Sequence, residues 1–328
     1  MNLSSKLCLL IMMPLLTAAF STNTYGQHIW PQDADRYAGP VPGEQAIGRW
    51  DLTISLPNGG SGASWLEIEK SGSGALVGQF VGMGGSARPI SEIMFDSRSQ
   101  KYSFTIPPQW GKHNMHLGFS LEDEHLAGKM GPVDGEMVSW TGVRAPELHR
   151  TTSPKWGAPV HLLKNGLADW IVPDKFWVFK NGVLIHNGHG GNLITKQKFN
   201  DFKLHVEFRY GEGANSGVYL RGRYEVQVLD SYGMHTGNEM LGGIYGFLTP
   251  VINAAKKPGE WQTYDITLIG RLVTIVLNGK TIICNRPIRG ITGSAIDSHE
   301  GEPGPIMIQG SESGNFEYRN IIITPGIE

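Results

Sequence analysis

Cysteine is scarce in this sequence: Cys8 and Cys284 are the only two among 328 residues. Cys8 lies in an N-terminal apolar run that we expect to be removed, which leaves Cys284 without an intramolecular partner. A disulfide framework is therefore excluded, and the fold must depend on an ordinary hydrophobic core. The chain is long enough to build such a core, and a length of about 150 residues per domain predicts two domains.

Net charge and helical periodicity are low as well. The chain carries 28 Lys and Arg against 30 Asp and Glu, a formal charge of −2. With no dense basic cluster, there is no electrostatic reason to expect a nucleic-acid partner. No long segment has helical periodicity, whereas 44 glycines and nine tryptophans are present. This composition indicates an all-β protein with many turns.

The N-terminus is typical of a secretory signal peptide. The segment MNLSSKLCLLIMMPLLTAAF has one lysine, then an apolar run, then small and polar residues. We expect residues 1–26 to be removed before Gln27, and the mature protein to be periplasmic or secreted. The apolar run is shorter than the roughly 20 residues that span a membrane, so we expect no span after removal. A retained signal-anchor is the alternative.

Two sets of short strands follow, separated by a proline-containing segment. Residues 45–145 alternate apolar and polar positions between glycine turns, which predicts a smaller antiparallel β barrel or sandwich. The segment RAPELHRTTSPKWGAP interrupts this pattern and marks the boundary. Residues 155–326 contain a second set of strands, including a hairpin signal at Asn278-Gly279. Tight turns between these strands favour antiparallel sheets packed face to face.

Polar residues are concentrated in the segment GANSGVYLRGRYEVQVLD, residues 213–230. In a strand, residues two apart share a face, so Glu225 and Gln227 point away from the core that the intervening valines and tyrosine face. Arg221 joins them if the chain does not bulge at Gly222, and it could then form a charge-assisted pair with Glu225. The residues from Ser231 to Trp261 could cover this patch. An ordinary solvated sheet face is the alternative.

The second half of the chain resembles a known family. DFKLHVEFRYGEGANSGVYLRGRYEVQVLDSYG, followed by GGIYG, GEWQTYDI, VLNGK and GPIMIQG, is similar to the 3-keto-disaccharide hydrolase domain family from about Trp156 to Pro325. The resemblance implies a concanavalin A-like jelly-roll β-sandwich that cleaves glycosides oxidised to a ketone at C3. The first half resembles a β module that precedes this domain in some members, through SARPI and WTGVRAP.

The chemistry of such a substrate requires few catalytic groups. A carbonyl at C3 acidifies the hydrogen at C2, so a base can remove it, the aglycone leaves from C1, and water adds afterwards. The site needs one base and a group that stabilises the enolate oxygen. It does not need the paired carboxylates of ordinary glycosidases. A divalent metal ion is a candidate electrophile.

The resemblance also implies the site residues. Glu225 is predicted as the base or a metal ligand, with Arg221 and Gln227 orienting the ketone. The residues predicted to bind substrate are Asp230, Asn215, Tyr245, Lys256, Gln309 and Glu312. Many family members have a histidine shortly after the glutamine of the C-terminal motif, where this chain has IQGSESGNFEYRN. Glu312 is the candidate replacement.

Two other functions fit the same residues. One is a non-catalytic, lectin-like carbohydrate-binding module, favoured by the missing histidine. The other is an ordinary glycoside hydrolase that uses Glu225 with Asp230 or Glu312. The sequence has no nicotinamide or flavin motif, so we expect a separate oxidoreductase to oxidise C3 upstream.

Overall fold

The computed structural model describes residues 40–72, 74–310 and 313–327. The predicted signal peptide at residues 1–26 and the predicted site residue Glu312 lie outside these ranges. A short 3-10 turn, Glu44–Ala46, precedes the first strand. Within the described ranges, no helix has the length and apolar character needed to cross a membrane.

The first eight strands form a closed antiparallel barrel, in which each strand pairs with the next and the first pairs with the eighth. The strands are β1 (Gly48–Ser55), β2 (Ser61–Ser71), β3 (Ala75–Val81), β4 (Arg88–Asp96), β5 (Lys101–Ile106), β6 (Met115–Glu122), β7 (His125–Pro132) and β8 (Val138–Arg144). Alternation along each strand places large side chains inside, including Trp50, Phe80 and Trp140. The barrel therefore has a core of its own.

The remaining strands form two sheets that pack face to face. A nine-stranded sheet has the order β12-β13-β22-β15-β18-β19-β20, and β9 and β10 also pair with β22. Its strands are β9 (Lys155–Trp156), β10 (Val160–His161), β12 (Trp177–Lys180), β13 (Val183–His186), β15 (Phe202–Tyr210), β18 (Gln262–Ile269), β19 (Leu272–Leu277), β20 (Lys280–Pro287) and β22 (Phe316–Ile327).

The second sheet has five strands in the order β11-β14-β21-β16-β17. They are β11 (Trp170–Ile171), β14 (Leu193–Phe199), β16 (Asn215–Leu220), β17 (Tyr224–Leu229) and β21 (Gly304–Ile308). One face of this sheet, which includes Val218, Val226 and Ile308, packs on Phe208 and Ile275 of the nine-stranded sheet. The fold class predicted from the sequence, an all-β jelly-roll sandwich preceded by a smaller antiparallel β domain, is confirmed.

The barrel and the sandwich belong to one compact unit, Pro40–Glu328. Trp65 of the barrel packs edge-on against Phe247 of the sandwich, with ring centroids 5.4 Å apart. Beside this contact, Asp51 of the barrel lies against the fully buried Glu300 of the sandwich. Burial, and then the charge of Glu300, raises the pKa of Asp51, while Arg271 bonds Glu300 at 2.5 Å. We call Asp51, Glu300 and Arg271 the junction cluster.

Candidate functional site

The hairpin of β16 and β17 separates its side chains onto two faces. Its register pairs Tyr219 with Glu225 and Gly217 with Gln227. The intervening Val226 belongs to the sandwich core, so these pairs lie on the other face of the five-stranded sheet. We call this surface the polar face, defined by Tyr219, Glu225, Gln227, Tyr245 and Gln309.

Glu225 is the ionisable group at the centre of the polar face. Its side chain is only 4% exposed, and the Tyr219 hydroxyl donates a hydrogen bond to its Oε2 at 2.9 Å. Burial raises the pKa of Glu225 to about 8, and the Tyr219 hydrogen bond opposes this shift. The other carboxyl oxygen lies over Gly217, where a Cβ would come within 2.3 Å of Oε1. Gly217 therefore makes room for the carboxyl group.

Tyr219 links Glu225 to a backbone carbonyl. Its hydroxyl lies 2.9 Å from Glu225 Oε2 and 3.1 Å from the oxygen of Gly293. Tyrosine has one hydroxyl hydrogen, and the carbonyl can only accept. When Glu225 is ionised, Tyr219 can donate to it; when Glu225 is protonated, it can donate to Tyr219, which then donates to Gly293. The arrangement accommodates both protonation states of Glu225, as a proton-transfer group requires.

Two glutamines flank this carboxyl group with unpaired oxygens. The backbone N–H of Gln309 donates to the oxygen of Gly217 at 2.9 Å, which places Gln309 beside Gln227 on the polar face. Both Oε1 atoms are buried without a hydrogen-bond partner among the described residues. Buried acceptors without partners are costly. A ligand with hydroxyl groups could supply the missing donors, and a sugar has several.

Tyr245 reaches the polar face from a segment that runs beside β17. Its N–H donates to the oxygen of Glu225 at 3.1 Å, and the neighbouring Ile244 pairs with Val226 on the core side. Alternation then directs the Tyr245 side chain toward Glu225. Burial, followed by the charges of Glu239 and Glu225, raises the pKa of Tyr245 to about 12. Tyr245 is therefore a neutral hydrogen-bond donor at neutral pH.

Arg221 does not join this group, so the predicted convergence of Arg221, Glu225 and Gln227 is wrong. β16 ends at Leu220, and Arg221 begins a turn in the left-handed conformation, with φ 54°. Its buried guanidinium donates to the Tyr224 hydroxyl at 2.8 Å and to the oxygen of Gly270 at 3.2 Å. Tyr224 faces the core, opposite Glu225. The turn breaks the alternation on which the prediction depended.

The other residues predicted to bind substrate have different positions. Asn215 is exposed and lies two residues before Gly217 on the same strand face. Asp230 accepts a hydrogen bond from the N–H of Gly213 at 3.0 Å and closes the turn before β16. Lys256 is exposed and donates to the oxygen of Trp261 at 2.9 Å within its own loop. These contacts connect neither Asp230 nor Lys256 with Glu225.

A metal centre has no ligand set among the described residues. No group of three or more His, Cys, Asp or Glu side chains is placed there to hold an ion. The neighbours of Glu225 on the polar face are phenols and amides, all of which can form hydrogen bonds with hydroxyl groups.

Three residues that contribute to the site were not predicted from the sequence. Tyr219 is not among the site residues predicted from the sequence, although the register across the hairpin pairs it with Glu225. Gly217 makes room for the carboxyl group, and its position opposite Gln227 follows from the same register. Gly293 lies 74 residues from Tyr219, and no local pattern marks it.

The described residues define an all-β protein with a buried carboxyl group on a polar sheet face. Residues 152–324, which are 173 of 328, match the family described as 3-keto-alpha-glucoside-1,2-lyase-like domain. The chain belongs to this family, as the resemblance predicted. Comparison with curated proteins finds no match.

Several solved structures are similar to parts of the chain. A candidate glycosyl hydrolase from Parabacteroides distasonis ATCC 8503 is 30% identical over 55% of this chain and 96% of its own, with a TM-score of 0.45. A second from the same organism is 24% identical over 51% and 98%, with a TM-score of 0.43. The carbohydrate binding module CBM66 from Bacillus subtilis is 12% identical over 48% and 95%, with a TM-score of 0.33.

Proposed function

We propose that the protein is an enzyme that cleaves 3-keto-glycosides by removing the C2 proton and eliminating the aglycone. The observation that carries this proposal is the environment of Glu225: one buried carboxyl group, bonded to a phenol and flanked by neutral amides with unpaired acceptors. Family membership supports the substrate class. An ordinary glycosidase would need a second carboxyl group roughly 5–9.5 Å away; Asp230, one of the two candidates from the sequence, is engaged in a turn.

The reaction can be written with Glu225 alone as the proton carrier. The ionised carboxylate takes the C2 proton, the C2–H electrons form the C1–C2 double bond, and the C1–O bond breaks toward the aglycone oxygen. The protonated Glu225 then gives its proton to that oxygen. Water adds across the double bond, with hydroxide at C1 and a proton at C2, to give the 3-keto sugar. The net change is hydrolysis, and no oxidant or reductant is consumed.

Tyr245 is the group best suited to stabilise negative charge at the C3 oxygen. Its hydroxyl remains protonated at neutral pH because its pKa is about 12, and it faces the same side as Glu225. Donors placed where charge develops contribute roughly 10²–10³-fold to rates in comparable sites. The unpaired oxygens of Gln227 and Gln309 would accept hydrogen bonds from sugar hydroxyls and hold the ring.

The raised pKa of Glu225 defines the pH dependence. The base must be ionised, so the free enzyme gains activity as pH rises toward about 8. At pH 7 about one tenth of the molecules carry the carboxylate, from a pKa one unit higher. A carboxylate with a raised pKa is also a stronger base, because its strength follows its proton affinity.

The test is aglycone release from a 3-keto-glucoside by the purified protein. We expect turnover by the wild type and a loss of at least about 10²-fold in Glu225→Gln, with Glu260→Gln, an exposed position, as the matched control. Absence of turnover in the wild type would refute the proposal. Saturable binding of an unoxidised oligosaccharide without turnover would identify a lectin-like module instead, and turnover of unoxidised glycosides would identify an ordinary glycosidase.

We also propose that the protein is exported and acts after an oxidoreductase. The motivation for export is the N-terminal sequence, and the motivation for the oxidoreductase is that elimination requires a ketone already present at C3. A mature chain that begins at Gln27 in the periplasmic or culture fraction would support export. An uncleaved chain in the cytoplasmic fraction would refute it.

A further inference from the structure

The β5–β6 loop of the barrel carries the most exposed tryptophan side chain among the described residues. Trp110 is 67% exposed, and it lines a cleft of about 350 Å³ at one end of the barrel together with Met83, Gly84, Gln109 and His113. This volume is in the range of small-molecule sites. An indole ring in such a cleft offers a flat apolar surface beside polar groups, which suits a sugar ring or an aromatic group.

A chain of contacts joins this cleft to Glu225. The indole of Trp110 lies against Gly84 and Gly85, where added Cβ atoms would come within 3.6 and 3.2 Å of the ring. Gly85 in turn packs against Gly293, where a Cβ would lie 2.7 Å from the nitrogen of Gly85. Gly293 accepts the hydrogen bond of Tyr219, the partner of Glu225. The barrel cleft is thus the neighbour of the polar face.

Gln109 makes a second connection, and its orientation is fixed. The N–H of Ser86 donates to Gln109 Oε1 at 2.9 Å, so the amide nitrogen is the end left to interact with Tyr245. The Gln109 side chain hydrogen-bonds the Tyr245 hydroxyl and acts to lower its pKa, as a donor to that oxygen does. The hydroxyl hydrogen of Tyr245 is then free to point toward a ligand on the polar face.

We propose that the β5–β6 loop forms the leaving-group subsite of the enzyme, with Trp110 as the stacking surface for an aromatic or sugar aglycone. This inference rests on the proposed function, because it places the two parts of the substrate, which the cleaved bond joins, in two different sites. The polar face holds the oxidised sugar, whose hydroxyls pair with Gln227 and Gln309. The barrel cleft holds the group that departs, and Gln109 positions Tyr245 between the two.

The test compares two 3-keto-glucosides, one with a phenyl and one with a methyl aglycone. In Trp110→Ala, we expect kcat/KM for the phenyl substrate to fall roughly two- to twelvefold, the range of one aromatic contact, while the methyl substrate changes less than about twofold. Trp110→Phe should lose less, because it keeps a ring. Met94→Ala, an exposed apolar side chain elsewhere on the barrel (57% exposed), is the control and should affect neither substrate.

Equal losses for both substrates, or no loss for the phenyl substrate, would overturn the subsite. A wild type inactive on both would refute the proposed function, and calorimetry with unoxidised phenyl glucoside then decides the subsite separately. Weaker binding in Trp110→Ala than in Met94→Ala would support it, and equal binding would overturn it.

Discussion

Replacing Glu225 with glutamine should make the protein more stable while removing its activity. In the folded protein the pKa of Glu225 is about 8, against an ordinary value of 4.5. The unfolded chain ionises near the ordinary value, so the folded state binds more protons between these two pH values. The buried carboxyl group therefore does not destabilise the folded protein below about pH 4.5. It lowers the free energy of unfolding progressively as the pH rises to 8.

The magnitude follows from the shift of about 3.5 pKa units, from 4.5 to about 8. At about 1.36 kcal/mol per unit, the penalty reaches about 5 kcal/mol above pH 8 and is about 3 kcal/mol at pH 7. Glutamine is neutral throughout and has nearly the same shape. The free energy of unfolding of the variant should therefore equal that of the wild type near pH 4.5 and exceed it by a growing margin toward pH 8.

Denaturant unfolding of both proteins at half-unit steps from pH 5 to 8.5 measures this difference. Glu260→Gln, at an exposed position, should follow the wild type across the series. Parallel curves for the wild type and Glu225→Gln would refute the raised pKa, and with it the assignment of Glu225 as a proton carrier poised near neutral pH. A difference that grows with pH, together with lost turnover, would support both.

Three further substitutions test the neighbours of Glu225. Tyr245→Phe should lower kcat by roughly 10²–10³-fold if its hydroxyl stabilises the enolate; an unchanged kcat would exclude that role. Tyr219→Phe removes the hydrogen bond that lowers the pKa of Glu225, so the rising limb of kcat/KM should move above pH 8, and an unmoved limb would contradict the link. Arg221→Met should lower the free energy of unfolding by about 1.5–3 kcal/mol, because the buried hydrogen bonds to the Tyr224 hydroxyl and the Gly270 oxygen are lost, with kcat/KM of the folded protein changed less than about threefold. A selective loss of kcat would restore the catalytic role predicted for Arg221.

The sequence was informative where backbone geometry dictates the outcome. Alternation within a strand is fixed by the extended backbone, so the common face of Glu225 and Gln227 could be predicted from six residues. The same reasoning predicted the core positions of the intervening valines. It failed at Arg221 because that residue lies beyond the end of β16, where left-handed backbone angles at Arg221 and Gly222 redirect the side chain.

The parts of the site that come from distant segments could not be predicted. The partner of Tyr219 lies 74 residues away in a loop, and Gln109 belongs to the barrel. The residues around Gln109 in the sequence do not distinguish it from other polar loop positions. Its role depends on hydrogen bonds to Ser86 and Tyr245, which are close to it only in the folded protein. The side-chain oxygens of Gln227 and Gln309 are unpaired because they are buried away from other donors, and this burial exists only in the folded protein.

The junction cluster has a consequence for attempts to move either half of the protein. An excised sandwich would leave Glu300 and Arg271 at a freshly opened surface, and an excised barrel would uncover Asp51. The raised pKa of Asp51, about 8, keeps most of this carboxyl group protonated and neutral at neutral pH. A chimera that joins this sandwich to a foreign barrel must therefore supply a neutral hydrogen-bonding group for Glu300 where Asp51 stands, or leave Glu300 with Arg271 as its charged partner and without that hydrogen bond. Sequence alignments of the family domain alone would overlook this requirement, because Asp51 lies about one hundred residues before the matched region, which begins at residue 152.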